Sequence, residues 1–157
     1  MRTFLIGVLG AMAVGLAILA QTPGVASRAT YRSAAQISAE LAKAGSPVGA
    51  VGGQAVTIVP GMVLRRRLPG PNNASVHTAE GDKQDVTEVY EIVDGAGTFV
   101  TGGTFANPAD RTAGIKGGES RRVSKGDFIV IPAGTPHWFS SIEGSITYLE
   151  ARFPTAR

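Results

Sequence analysis

The sequence predicts an all-β domain of short antiparallel strands, closed into a sandwich or barrel and preceded by one helix. Three observations predict it. The chain has 157 residues, the length of one domain. Its 21 glycines and 9 prolines supply punctuation for many turns. From Gln54 onward the chain falls into short runs rich in Val, Ile, Thr, Phe and Tyr, with no helical stretch between them to build βαβ units.

The elements follow in chain order. Arg2 precedes an uncharged run from Phe4 to Ala20, and Gly24-Val25-Ala26 offers the small side chains that a signal peptidase inspects. This predicts export to the periplasm or beyond, with cleavage after Ala26 and no stable membrane span afterwards. The competing reading is an uncleaved anchor, for which the run is short against the ~20 residues a span needs. The chain has no cysteine, so neither a lipid anchor nor a disulfide framework is available. Ala34, Ile37, Leu41 and Ala44 recur at helix spacing, which predicts a helix from Ser33 to Ala44, capped by Ser33 and stopped by Gly45 and Pro47. "GSPVGAVGG" then reads as a linker. The expected layout is a signal over 1–26, helix and linker over 27–53, and the β domain over 54–157.

The strands expected within that domain are "QAVTIV", "MVLRRRL", "TEVYEIV", "GTFVTG", "RRVS", "DFIVI", "HWFSSI" and "SITYLEARF". The stretch from Phe105 to Gly118 reads as a mobile surface loop. The net charge of +3 is scattered except at Arg65–Arg67, read as a solvated strand face, so nothing resembles a nucleic-acid-binding stripe.

Function is carried by "GDFIVIPAGTPHWFSS", Gly126 to Ser141, which holds one of the two histidines. Asp127, Ile129 and Ile131 share a strand face, Pro132 and Gly134 make a tight turn, and His137 opens the next strand with Phe139 on its face. This run resembles the second motif of the cupin superfamily, G-x5-P-x-G-x2-H-x3-N. Gly126, Pro132, Gly134 and His137 fall at its spacings, and Ser141 stands where Asn is usual. The family's first motif is half present. "EVYEIVDG" sets Glu88 at the motif spacing before Gly95, and Glu88, Tyr90 and Ile92 share one face. His77 precedes them, but Ala79 occupies the partner histidine's slot and "AEGDKQ" looks like an insertion. Counting back from Glu88 instead places Asp82-x-Gln84 there. The resemblance covers Gln54 to about Phe153. It implies a double-stranded β-helix, or jelly-roll barrel, and pairing into a homodimer through sheet edges or exposed faces.

Three readings of the site follow. In the first, His77, Glu88 and His137 hold one divalent metal, with Gln84 or Asp82 as a further oxygen ligand. Two imidazoles and a carboxylate suit Fe(II), and also Mn, Ni or Zn. Such a centre implies a dioxygenase or an isomerase acting on a small molecule. In the second, the barrel binds a small ligand without metal, and Glu88 and His137 form a charged hydrogen-bonded pair. In the third, the pocket is filled by side chains and serves structure alone. Tyr90 and Phe139 are expected to line the pocket, and Trp138 to shape it or pack at its edge.

Overall fold

The computed structural model describes residues 29–43, 54–70, 76–78, 80–81 and 84–155, and Arg32–Arg157 form one compact unit. The expected signal and the linker "GSPVGAVGG" lie outside the described residues. Helix α1 (Ala34–Lys43) begins where a reciprocal cap permits it. The Gln36 N–H donates to Ser33 Oγ at 3.2 Å, and the Ser33 N–H donates to Gln36 Oε1 at 2.8 Å. Leu41 is its buried residue. Ala44, expected as the last helical position, lies outside the described residues.

Strands β1 (Gln54–Val59) and β2 (Met62–Arg67) form an antiparallel hairpin, with Gly61 at φ 80° in the turn. The short strands β3 (His77–Thr78) and β4 (Glu80–Gly81) precede β5 (Gln84–Thr101). After β6 (Thr104–Phe105) and β7 (Ile115–Lys116) come β8 (Glu119–Ser124), β9 (Phe128–Ile131) and β10 (Pro136–Pro154). The sheet order is β1-β2-β10-β5-β4, with β3 beside β10, and β8 and β9 both beside β5. The result is an antiparallel, all-β fold with one α-helix among the described residues.

The spine is β5 against β10, paired from His137↔Thr101 to Pro154↔Val86. Two pairs of expected strands are therefore single elements, "TEVYEIV" with "GTFVTG" and "HWFSSI" with "SITYLEARF". The interruptions are bulges rather than turns, lying between Phe139 and Ser141, Glu143 and Ile146, and Thr147 and Tyr148. Gly95 permits one of them. It sits at φ 79°, and a Cβ there would lie 1.9 Å from the Ser145 carbonyl oxygen.

Alternation along these strands builds the core. Tyr90, Ile92, Phe99, Val123, Ile131, Phe139, Ile146 and Tyr148 form one buried cluster. Its rings pack at 4.6 Å between Tyr90 and Tyr148, and 4.9 Å between Phe99 and Phe139. In β9, Ile131 is buried while Phe128 and Val130 face outward. The segment expected as a mobile loop is ordered instead. β6 and β7 pair across a 3-10 turn (Arg111–Ala113) capped by Asp110, and Arg111 O accepts from the Val76 N–H at 2.9 Å. Gly114, at φ 87°, lets the chain pack against the Trp138 ring, where a Cβ would come within 2.9 Å. Hydrogen bonds and a packed aromatic ring, rather than apolar periodicity, hold this segment.

Candidate functional site

The turn before β10 aims the first functional side chain. The Thr135 N–H donates to Pro132 O at 3.1 Å, and Gly134 takes φ 73°, the positive value that a type II turn requires at its third residue. His137 follows and is buried. Its Nδ1 lies 3.0 Å from the Thr135 carbonyl oxygen. A carbonyl only accepts, so Nδ1 carries a proton and Nε2 is turned to the interior. β3 pairs with the start of β10 so that His77 stands directly opposite His137, and their ring centroids are 6.0 Å apart.

Glu88 meets His137 from β5. Its Oε2 lies 3.2 Å from His137 Nε2 and accepts from the Tyr90 O–H at 3.0 Å. The same hydroxyl is 3.2 Å from His137 Nε2. Arg152 is the cross-strand partner of Glu88, and its Nε lies 3.2 Å from Glu88 Oε1 and 2.8 Å from Glu150 Oε1. Arg65 Nε in turn donates to Glu150 Oε2 at 2.6 Å. Arg67 Nε donates to the Tyr148 hydroxyl at 2.8 Å. A chain of charges thus runs across β2, β10 and β5, along directly opposed and diagonal cross-strand neighbours.

Burial sets the protonation states. It pushes the Tyr90 hydroxyl well above its usual value, reinforced by Tyr148 and Glu88, so Tyr90 remains a donor. It also acts to raise the Glu88 carboxyl. The hydrogen bond and charge of His137, then Arg152 and Tyr90, outweigh it and hold Glu88 below the ordinary carboxylate value. His77 is lowered to about 4, by burial first and then by the charges of Arg67 and His137, and is a neutral imidazole at neutral pH.

A cavity of about 120 Å³ opens over this network, lined by Arg65, Arg67, His77, Thr78, Glu88, Tyr90, Glu150 and Arg152. A smaller adjoining void, which shares Arg67, His77 and Tyr90 with it, is lined by His137, Trp138 and Phe139 among others. Trp138 Nε1 is buried there without a hydrogen-bond partner. A larger open cleft of about 490 Å³ lies elsewhere, along β8 and β9, away from the histidines.

The expected site residues therefore fall as follows. Glu88, Tyr90 and His137 are in hydrogen-bonding distance of one another, His77 is beside His137, and Phe139 lines the adjoining void. Asp82 lies outside the described residues, and only the backbone position of Gln84, the first residue of β5, is described. No group of three His, Cys, Asp or Glu that could hold a metal ion forms among the described residues. Five residues were not anticipated: Arg65, Arg67, Tyr148, Glu150 and Arg152. Arg65–Arg67, expected on a solvated face, is a correction. Arg67 is only 6% exposed, Arg65 pairs with Glu150, and Arg66 donates to Thr147 Oγ1 at 3.2 Å. The available signal was period-two alternation, Tyr148, Glu150 and Arg152 on one face of β10.

No protein-family model and no curated protein matches the sequence. Among solved structures, the chain is similar in fold to FeII HppE, at 15% identity over 64% of this chain and 49% of that one, with a TM-score of 0.45. It is also similar to a cupin protein from Bacteroides fragilis, at 17% identity over 66% of this chain and 79% of that one, with a TM-score of 0.41. A third is the EutQ protein of Clostridium difficile, at 15% identity over 65% and 61%, with a TM-score of 0.38. The chain spans about half the length of the first of these. These likenesses concern fold alone.

Proposed function

We propose that this is a metal-free, small-ligand-binding cupin whose pocket is the cavity between β2, β3, β5 and β10. One observation carries the reading. Glu88, the carboxylate that a metal centre would need, is already partnered by Tyr90, His137 and Arg152. Among the described residues, three guanidinium groups line the same cavity against two carboxylates. That surplus of positive charge opposes a divalent cation. As placed, the site residues do not fit a metal.

A second reading keeps the metal. His77 Nε2 is buried without a hydrogen-bond partner, and His137 Nε2 is held inward by the bond its Nδ1 makes. With Glu88 released from Arg152, His77, His137 and Glu88 would be the holding residues. Bound Fe, Mn, Ni or Zn would then supply Lewis-acid or O₂-activating chemistry, suited to a dioxygenase or isomerase. Metal content of untagged protein separates the two readings. The proposal extends to delivery: the uncharged run from Phe4 to Ala20 supports export with removal of residues 1–26.

A further inference from the structure

Arg67 is buried, with 6% of its surface exposed. Its Nε donates to a neutral partner, the Tyr148 hydroxyl, whose ring centroid lies 6.0 Å from its guanidinium carbon. Arg65 and Arg152 sit on carboxylates, but among the described residues no carboxylate lies within ion-pair distance of Arg67. A buried charge without a counter-charge is costly, and a bound anion would offset that cost. A second group points the same way. His77 Nε2 is buried and unpartnered, and His77 and Arg67 line the same cavity.

Resting on the metal-free reading above, we infer that this cavity receives a small organic monoanion, a carboxylate of a few heavy atoms, with Arg67 as its principal partner and His77 beside it. The guanidinium fork matches a carboxylate with two parallel hydrogen bonds. Charge balance selects one negative charge. Among the described residues that line the cavity, Arg65, Arg67 and Arg152 face Glu88 and Glu150, leaving a surplus of one positive charge that a monoanion cancels and a dianion overshoots. Size agrees, since about 120 Å³ holds only a small molecule. Thr78 lines the same cavity and can accept from a hydroxyl, so a 2-hydroxy acid is the fitting probe.

The test is titration calorimetry of the full chain with lactate, with its neutral analogue 1,2-propanediol, and with inorganic phosphate. The three are repeated on Arg67→Gln and Arg67→Lys, each checked by its melting curve. The expected result is saturable lactate binding, with propanediol weaker by about tenfold or more, and a similar loss in Arg67→Gln. Arg67→Lys keeps the charge but loses the fork, and is expected between the two. If Arg67→Gln does not fold, the lactate–propanediol comparison on the unaltered chain and Arg67→Lys decide. Propanediol binding as tightly as lactate would overturn the anion assignment while leaving a binding pocket. Phosphate binding more tightly than lactate would overturn the monoanion. No binding of lactate would overturn the inference alone, because the metal-free reading stands or falls separately on metal content.

Discussion

Tyr90 is the residue on which the site's polar network turns. Its hydroxyl is within hydrogen-bonding distance of both Glu88 and His137, and all three are buried. Removing that oxygen leaves a buried carboxylate short of a donor. Tyr90→Phe is therefore expected to keep the fold and lose about 1–3 kcal/mol of stability, measured by urea unfolding at neutral pH. No loss would mean that the hydroxyl does not hold Glu88. His77 gives the network a pH dependence. Its value falls from 6.5 to about 4 on folding. Between those values the unfolded chain binds a proton that the folded chain does not. Stability is therefore fully present above 6.5 and drains as pH falls towards 4, by roughly 3 kcal/mol. Glu88, held low, adds stability present above the ordinary carboxylate value and lost in more acidic solution. Unfolding free energies from pH 7 to pH 4 should fall steeply for the native chain and less steeply for His77→Gln. Equal slopes would place His77 in solvent.

At the scale of elements, the long strands β5 and β10 turn corners without breaking. Gly95 makes this possible at one corner, so Gly95→Ala is expected to cost about 3 kcal/mol or more, because a methyl group would enter the Ser145 carbonyl. Gly144→Ala is the comparator. Its φ is 73° with nothing within 4 Å of a built Cβ, and strain alone predicts about 1–2 kcal/mol. Equal urea midpoints would mean that the corner is not tightly packed. These corners explain what the sequence showed and what it hid. Strand positions were legible from β-branched and aromatic runs, as was the Glu88–Tyr90–Ile92 face, because each rests on local period-two alternation. Continuity through the bulges was not, since Gly95 and Gly144 read as turn signals. The ordering of Phe105–Gly118 was hidden too, because Arg111 O bonds to Val76, far away in sequence. Arg65 and Arg67 were missed for a third reason. In a run of three arginines no apolar residue marks which positions point inward.

At the scale of the whole unit from Arg32 to Arg157, the buried core is largely aromatic and the cavity beside it is ionic. Tyr90 and Tyr148 belong to both, with rings in the core and hydroxyls in the charge network. That arrangement lets Arg67, Glu88 and His137 be buried while still hydrogen-bonded. In the metal-free reading, this network, and not a metal, occupies the site. Its most direct test is elemental mass spectrometry of the untagged chain after reconstitution with Fe(II), Mn, Ni and Zn, beside His77→Ala, Glu88→Ala and His137→Ala. Far less than one metal per chain is expected in every sample, with no difference among the variants. Near-stoichiometric metal that disappears in all three variants would contradict it.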